Sequence, residues 1–365
     1  MATTAPRAGP RIMALDTADP TEDSWTMGSL PAAGFLRLGA PVLGMAAVGA
    51  LVQAWATRRD ERQYPPPGVL VDIGGHRLHL DVRGEGPRPT VVLEAGMGSF
   101  SPNWYWVQSE LAPALRVVAY DRAGLGWSER GTAPRDADTL AVELHTALQA
   151  AGVPGPYVLA GHSFGGLPVR AFAQRYPGET AGLVLVDASN PDQWVRWPVR
   201  NADRMIVASQ RVTAVLARVG LLRLVDLSRA ISAGLPDRPA AQLRARSALP
   251  GTSAVEADQM AAWPTSRAQL VSDLGALPLV VLGVTEQPRG AETLTALQIE
   301  LTGLSTRSVR RVVQGATHES LVARREHALA VVAAIRAVVA DDLESLPDPI
   351  LPVGTPTPGG RAAAG

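Results

Sequence analysis

Two hydrophobic rhythms run along the chain. At 69–73 and 78–83 apolar and polar positions alternate, which predicts two antiparallel strands joined by a turn at Gly74-Gly75. Further on the apolar runs become continuous, at 90–94, 116–120, 157–161, 182–187 and 277–283, and a last strand is predicted at 309–313. Continuous runs of this length predict strands buried on both faces. Segments with helical spacing lie between them, at 104–115, 139–151, from Gly166 to Tyr176, and at 321–339. Strands alternating with helices predict an α/β fold, a mostly parallel twisted sheet with helices on both faces.

The sheet pattern is interrupted once. Residues 188–276 show helical spacing at 202–222, 224–233, 240–248 and 255–263, so a helical cap is expected after the sixth strand, between core segments 69–187 and 277–345. Trp194, Trp197, Met205, Met260 and Trp263 are expected to form the cap's own core, with some lining an apolar pocket. Its arginines read as a mostly solvated face. Residues 1–37 and 346–365, rich in Pro, Ala, Thr and Gly, read as disordered tails. Residues 38–56 carry no charge, and Gln53 is their only strongly polar side chain, so they predict a single membrane-spanning anchor. The alternative is a signal segment cleaved near Ala56, within Ala54-Trp55-Ala56, and a secreted chain. Arginines flank the segment on both sides, so its orientation stays open. Residues 57–68, ending in Tyr64-Pro65-Pro66-Pro67-Gly68, read as a stiff linker.

Composition removes several classes. With 365 residues, 46% of them hydrophobic, the chain can bury a large core. Its 34 basic and 34 acidic residues balance, which argues against nucleic acid as a partner. Every basic residue is arginine. Cysteine is absent, which excludes disulfides, thiolate catalysis and cysteine metal sites. None of the six histidines forms a ligand pair with another on a predicted helix, so metal binding is not expected, and the serine chemistry read below requires no metal or organic cofactor.

Gly161-His162-Ser163-Phe164-Gly165 follows a predicted strand and precedes a predicted helix. A strand turning sharply into a helix pushes the middle residue onto the tip of the bend, and Gly161 and Gly165 supply the room. Ser163 is therefore the candidate nucleophile, with the Phe164 N–H aimed where an oxyanion would form. A serine hydroxyl needs a general base. His318, after the 309–313 strand and the loop Gly315-Ala316-Thr317, is that candidate, whereas His162 is adjacent in sequence and reads as a packing residue. The acid that orients the base should end a strand near His318. Asp187 and Glu286 both qualify, with Asp192 a weaker third.

Three motifs in order carry a resemblance to the α/β-hydrolase fold family: the 161–165 elbow, Asp121-Arg122-Ala123-Gly124-Leu125-Gly126-Trp127-Ser128, and Gly315-Ala316-Thr317-His318. The membrane segment followed by Tyr-Pro-Pro-Pro-Gly looks like a bacterial subgroup of that family. The resemblance implies Met97, after Gly96, as the second oxyanion donor, although Ala95 stands where the family often has histidine. It places Glu94, Trp104 and Trp127 around the pocket. Many relatives carry an aspartate acid three residues after the position of Gly283, where this chain has Glu286, and a minority keep it at the position of Asp187. Asp187 is preferred because aspartate is the commoner acid. Haloalkane dehalogenases and epoxide hydrolases of this fold use an elbow aspartate, so Ser163 implies attack on an acyl carbon. The expected function is a serine hydrolase of carboxyl esters or related acyl bonds, acting on an apolar small-molecule acyl substrate. A non-hydrolytic ligand-binding receptor or scaffold, or an acyltransferase, is the alternative.

Overall fold

The computed structural model describes residues 32–225, 228–286 and 292–351. Two compact units make up the chain, Met1–Met45 and Ala46–Gly365, and the sheet and cap lie wholly in the second. A long helix, α1 (Ala32–Gln63), comes first. Eight strands follow: β1 (Val69–Asp72), β2 (Arg77–Arg83), β3 (Thr90–Glu94), β4 (Val117–Tyr120), β5 (Tyr157–His162), β6 (Thr180–Val186), β7 (Leu279–Val284) and β8 (Ser308–Val313). They form one sheet in the order β1-β2-β4-β3-β5-β6-β7-β8. β2 runs antiparallel to both its neighbours, β1 and β4, and β3 to β8 are mutually parallel. Their C-terminal ends therefore share one edge, where α/β folds of this kind build their sites.

The two faces separate by strand alternation. Val91, Leu93, Val117, Val158, Val184 and Val280 enter the core shared with α2 (Tyr105–Leu111) and, after β8, α12 (Ser320–Ala323) and α13 (Arg325–Val339). Val92, Val118, Leu159, Leu183 and Val281 enter the core shared with α3 (Ala137–Ala150) and α4 (Gly166–Arg175). All eleven strand residues are fully buried, each contributing about 2 kcal/mol of hydrophobic stabilisation. α3 begins where the Asp136 carboxylate accepts the Thr139 N–H at 3.1 Å. The helix expected over 321–339 is divided at Arg324, whose backbone is extended.

Among the described residues six α-helices lie between β6 and β7: α5 (Gln193–Arg196), α6 (Ala202–Arg218), α7 (Arg229–Ser232), α8 (Asp237–Ser247), α9 (Pro250–Ala261) and α10 (Trp263–Gln269). Met260 and Trp263 are buried against the face that holds Phe164, and Trp194 packs on Trp263. Met205 departs from the expected role, being 63% exposed on α6. α11 (Glu292–Leu301) bridges β7 and β8.

The chain termini differ most from the sequence expectation. Among the described residues no helix is long and apolar enough to cross a membrane, so the spanning segment over 38–56 and the subgroup it suggested are not supported. That stretch is part of α1, whose small residues dilute its hydropathy and whose last turns carry Arg58, Arg59, Asp60, Glu61 and Arg62. Gln53, its one strongly polar residue, is buried against the cap, donating to the Ala248 carbonyl at 3.2 Å and accepting from Arg223 Nε at 2.7 Å. Nor is 57–68 a free spacer. Residues 57–63 are helical, Asp60 pairs with Arg223 at 2.7 Å, and the Tyr64 carbonyl accepts from Trp127 Nε1 at 2.9 Å. At the other end Leu346 and Ile350 are buried, and Ile350 forms a parallel bridge to Val313, covering the open edge of β8. The remainder of the expected tails, 1–31 and 352–365, lies outside the described residues, whereas 32–37 are helical.

Beyond β4 the loop is organised by Asp121, whose buried carboxylate accepts from His79 Nδ1 at 3.0 Å, the Ser101 N–H at 2.8 Å and the Trp127 N–H at 2.9 Å. Burial alone would lift this carboxyl, but the His79 ring and the two amide donors outweigh it and hold it below the ordinary carboxylate value. Asp121→Ala strands all three donors, and the expected loss is about 3 kcal/mol in urea denaturation. In the wild type this contribution is complete at neutral pH and disappears as the pH falls through the depressed carboxyl value.

Candidate active site

β5 ends in His162, and a short 3₁₀ turn, Ser163–Gly165, leads into α4. Ser163 sits at the tip with φ +54°, a left-handed conformation that costs a non-glycine residue about 1–2 kcal/mol. The bend is tight. A side chain at Gly165 would strike the carbonyls of Glu94 and Ala95, and one at Gly161 would strike the Gly165 carbonyl. The neighbouring strand repeats the device, because Asp187, just after β6, has φ +44°, with its N–H donating to the Leu282 carbonyl at 2.8 Å.

His318 arrives from the loop after β8, and its Nδ1 donates to Asp187 Oδ2 at 2.5 Å. The other carboxylate oxygen accepts from Gln298 Nε2 of α11, also at 2.5 Å. Burial alone would raise the Asp187 carboxyl, but these two contacts hold it below the ordinary value. For His318 burial favours the neutral ring, yet Asp187 outweighs it and raises the imidazole above its ordinary value. Ser163, Asp187 and His318 line one cavity of about 250 Å³, together with Leu297, Gln298 and Glu286. Glu286 sits on its exposed rim, its N–H donating to the Ala316 carbonyl at 3.0 Å, and the carboxylate that meets the His318 ring is Asp187. Asp192 is elsewhere, paired with Arg267 at 2.5 Å.

His162 is buried beneath His318, with ring centroids 4.6 Å apart, and its Nε2 lies 3.0 Å from the His318 carbonyl oxygen. A carbonyl only accepts, so this geometry assigns the hydrogen to Nε2 and leaves Nδ1 as a lone pair. Burial, reinforced by the His318 charge, pushes His162 down to about 3. A neutral ring thus tethers the His318 backbone without adding a second positive charge.

The loop after β3 carries Met97, half-buried, beside the buried Phe164. Arg122 holds this loop from below, donating to the Ala95 and Gly96 carbonyls at 2.6 Å each and forming a buried ion pair with Glu94. Tyr120 also donates to Glu94, whose carboxyl burial lifts above the ordinary range. Glu94 is therefore structural, Trp104 is buried edge-on to His162, and Trp127 packs on Phe100 and His79 rather than lining the Ser163 cavity. Among the described residues no cluster of three histidine or acidic side chains could hold a metal ion. Sequence reasoning missed Gln298, because a lone glutamine on an unpredicted helix carries no local signal. Arg122 was visible inside its motif, but its bonds to the loop carbonyls were not.

Residues 89–233 match the family model described as alpha/beta hydrolase fold. The chain is 28% identical over 193 residues to the uncharacterized protein YbdG of Bacillus subtilis (strain 168), an alignment covering 52% of this chain and 58% of YbdG. It is 26% identical over 165 residues to Epoxide hydrolase 4 of Homo sapiens, covering 42% and 45%. The chain thus spans about half the length of these relatives. Among solved structures, a thermophilic esterase from Thermogutta terrifontis superposes with a TM-score of 0.56 at 23% identity, over 75% of this chain and 98% of the esterase.

The neutral Nε2–H state assigned to His162 is open to direct measurement. Long-range ¹H–¹⁵N spectra of the imidazoles are expected to show no titration of His162 between about pH 5 and about pH 9, while His318 titrates above its ordinary value.

Proposed function

We propose that this chain, whose residues 89–233 match the alpha/beta hydrolase fold model, is a serine hydrolase of that family that cleaves carboxyl esters or related acyl bonds through an acyl-Ser163 intermediate. The observation that carries the reading is the Asp187–His318 ion pair in the cavity that Ser163 lines. In this mechanism Ser163 Oγ attacks the acyl carbon while His318 Nε2 takes its proton. Asp187 keeps the hydrogen on Nδ1 and stabilises the imidazolium, and Gln298 holds Asp187 in place. The oxyanion is received by the N–H groups of Phe164 and Met97, with Arg122 fixing the Met97 loop. His318 then protonates the leaving group, and a water activated by the same ring releases the acid. A serine at the elbow, where the epoxide hydrolases of this fold carry aspartate, favours acyl over epoxide chemistry.

Labelling with a fluorophosphonate tests the reading. The expected result is labelling that Ser163→Ala abolishes, Asp187→Asn slows by roughly 10⁴-fold, and Glu286→Gln leaves within about twofold. Because Asp187 raises His318, kcat/KM for an ester is expected to rise as the pH climbs through the His318 value, and this acid limb moves to lower pH in Asp187→Asn. An unlabelled, folded wild type, or equal loss in both acid variants, contradicts the assignment.

A further inference from the structure

Among the described residues the arginines that are nine-tenths or more buried are Arg122, Arg135, Arg170 and Arg246. Arg122 and Arg135 each meet a carboxylate, Glu94 and Glu143, and Arg246 lies over the Trp127 ring. Arg170 has neither. It stands on α4 in a run buried from Gly166 to Ala173, and its one hydrogen bond among the described residues runs from Nη2 to the Val271 carbonyl at 3.0 Å. Nε and Nη1 have no partner among those residues. Burial pushes the guanidinium down to about 10, against the pull of Asp192, so it keeps its charge at neutral pH.

Arg170 lines a cavity of about 510 Å³ between α4, the 190–192 segment after β6, the 270–272 segment after α10 and the end of α11. The other charges in its lining are matched. Asp192 is bound to Arg267 at 2.5 Å and Glu300 to Arg196 at 2.7 Å, both pairs between exposed side chains. The charge left over is that of Arg170. Asn190 lines this cavity and the one that holds Ser163, so the two share a wall. Its amide is spent on that wall, donating to the Leu297 carbonyl at 3.0 Å and accepting the Asp192 N–H at 2.9 Å.

We infer that this cavity is a binding site for a small oxyanion, a phosphate or carboxylate group, received by the Arg170 guanidinium. Taking a charge out of water without a counter-charge is costly, and a single carbonyl offsets only part of that cost. An oxyanion supplies the opposite charge and the missing acceptors together, and the planar donor set of arginine matches phosphate and carboxylate alike. α4 springs from the Ser163 turn, and Asn190 lies a few residues past Asp187. The anion therefore sits between the two segments that leave the candidate active site, beside the catalytic cavity and not in it. The inference does not depend on the serine-hydrolase reading, since binding alone is measured.

The test uses the full-length chain. Thermal unfolding is followed at about pH 7.5 in sodium phosphate, sodium acetate and sodium chloride of matched ionic strength, and calorimetry titrates phosphate and acetate directly. At about ten times its Kd, the bound oxyanion is expected to raise the Tm by roughly 2–4 °C over chloride. The tighter of the two anions identifies the chemical class. Arg170→Met removes the charge and keeps an unbranched side chain. It is expected to abolish the rise and to match or exceed the wild-type Tm in chloride, because a buried charge without a counter-charge is gone. Asp192→Asn alters an exposed side chain and removes the acid that acts on Arg170 electrostatically, so it is expected to tighten anion binding by about threefold. A wild type whose Tm is the same in all three salts overturns the inference, as does anion binding that survives Arg170→Met. A lower Tm of Arg170→Met in chloride, beside a wild type indifferent to the anions, makes Arg170 a structural residue only. If Arg170→Met does not fold, Asp192→Asn decides, tighter binding supporting the site and unchanged affinity overturning it.

Discussion

A guanidinium with almost no access to water holds the catalytic edge together. Arg122 comes from the loop after β4, and its partners are Glu94 at the end of β3 and the carbonyls of Ala95 and Gly96. Burying two opposite charges is expensive, and each partner removed singly leaves the other uncompensated. The two adjoining strand ends and the Met97 loop are therefore locked to one another. Phe164, on the next strand's turn, lies against the same guanidinium at 5.2 Å. Both residues proposed to supply oxyanion donors thus stand close to a single buried cation or to the loop it holds.

Strain is concentrated beside this lock. Ser163 and Asp187 are non-glycine residues with positive φ, placed at the ends of the adjacent strands β5 and β6. Such backbones persist only where the surroundings over-determine them, and here the five-residue parallel register from Val158 to His162 does so. The left-handed turn after β6 brings the Asp187 carboxylate to His318. A relaxed strand end would carry it along the strand direction and away from the ring.

The cap is joined to the rest of the fold by more than its two chain crossings. Arg223 binds Gln53 and Asp60 of α1, and Trp263 packs on Phe164 with ring centroids 5.9 Å apart. Consequently α1, the cap and the Met97 loop enclose one cavity, while the strand ends and α11 enclose another. Met97 stands at the first and Ser163 at the second.

The sequence by itself determined the layered sheet, because continuous apolar runs can be satisfied only by burial on both faces, and it marked Ser163 and His318 as candidates through local turn chemistry. Loops such as 161–165 and 315–318 are legible since their constraints are short-ranged. Which carboxylate meets His318 was not legible, for Asp187 and Glu286 both follow apolar strands and differ only in backbone conformation and strand neighbour. Gln298 and Arg122 likewise acquire meaning only from partners far away in sequence. What Gln53 of α1 packs against was not legible for the same reason: it is an isolated polar residue in the linear chain, and its partners Ala248 and Arg223 lie about two hundred residues on, where only tertiary packing could supply them.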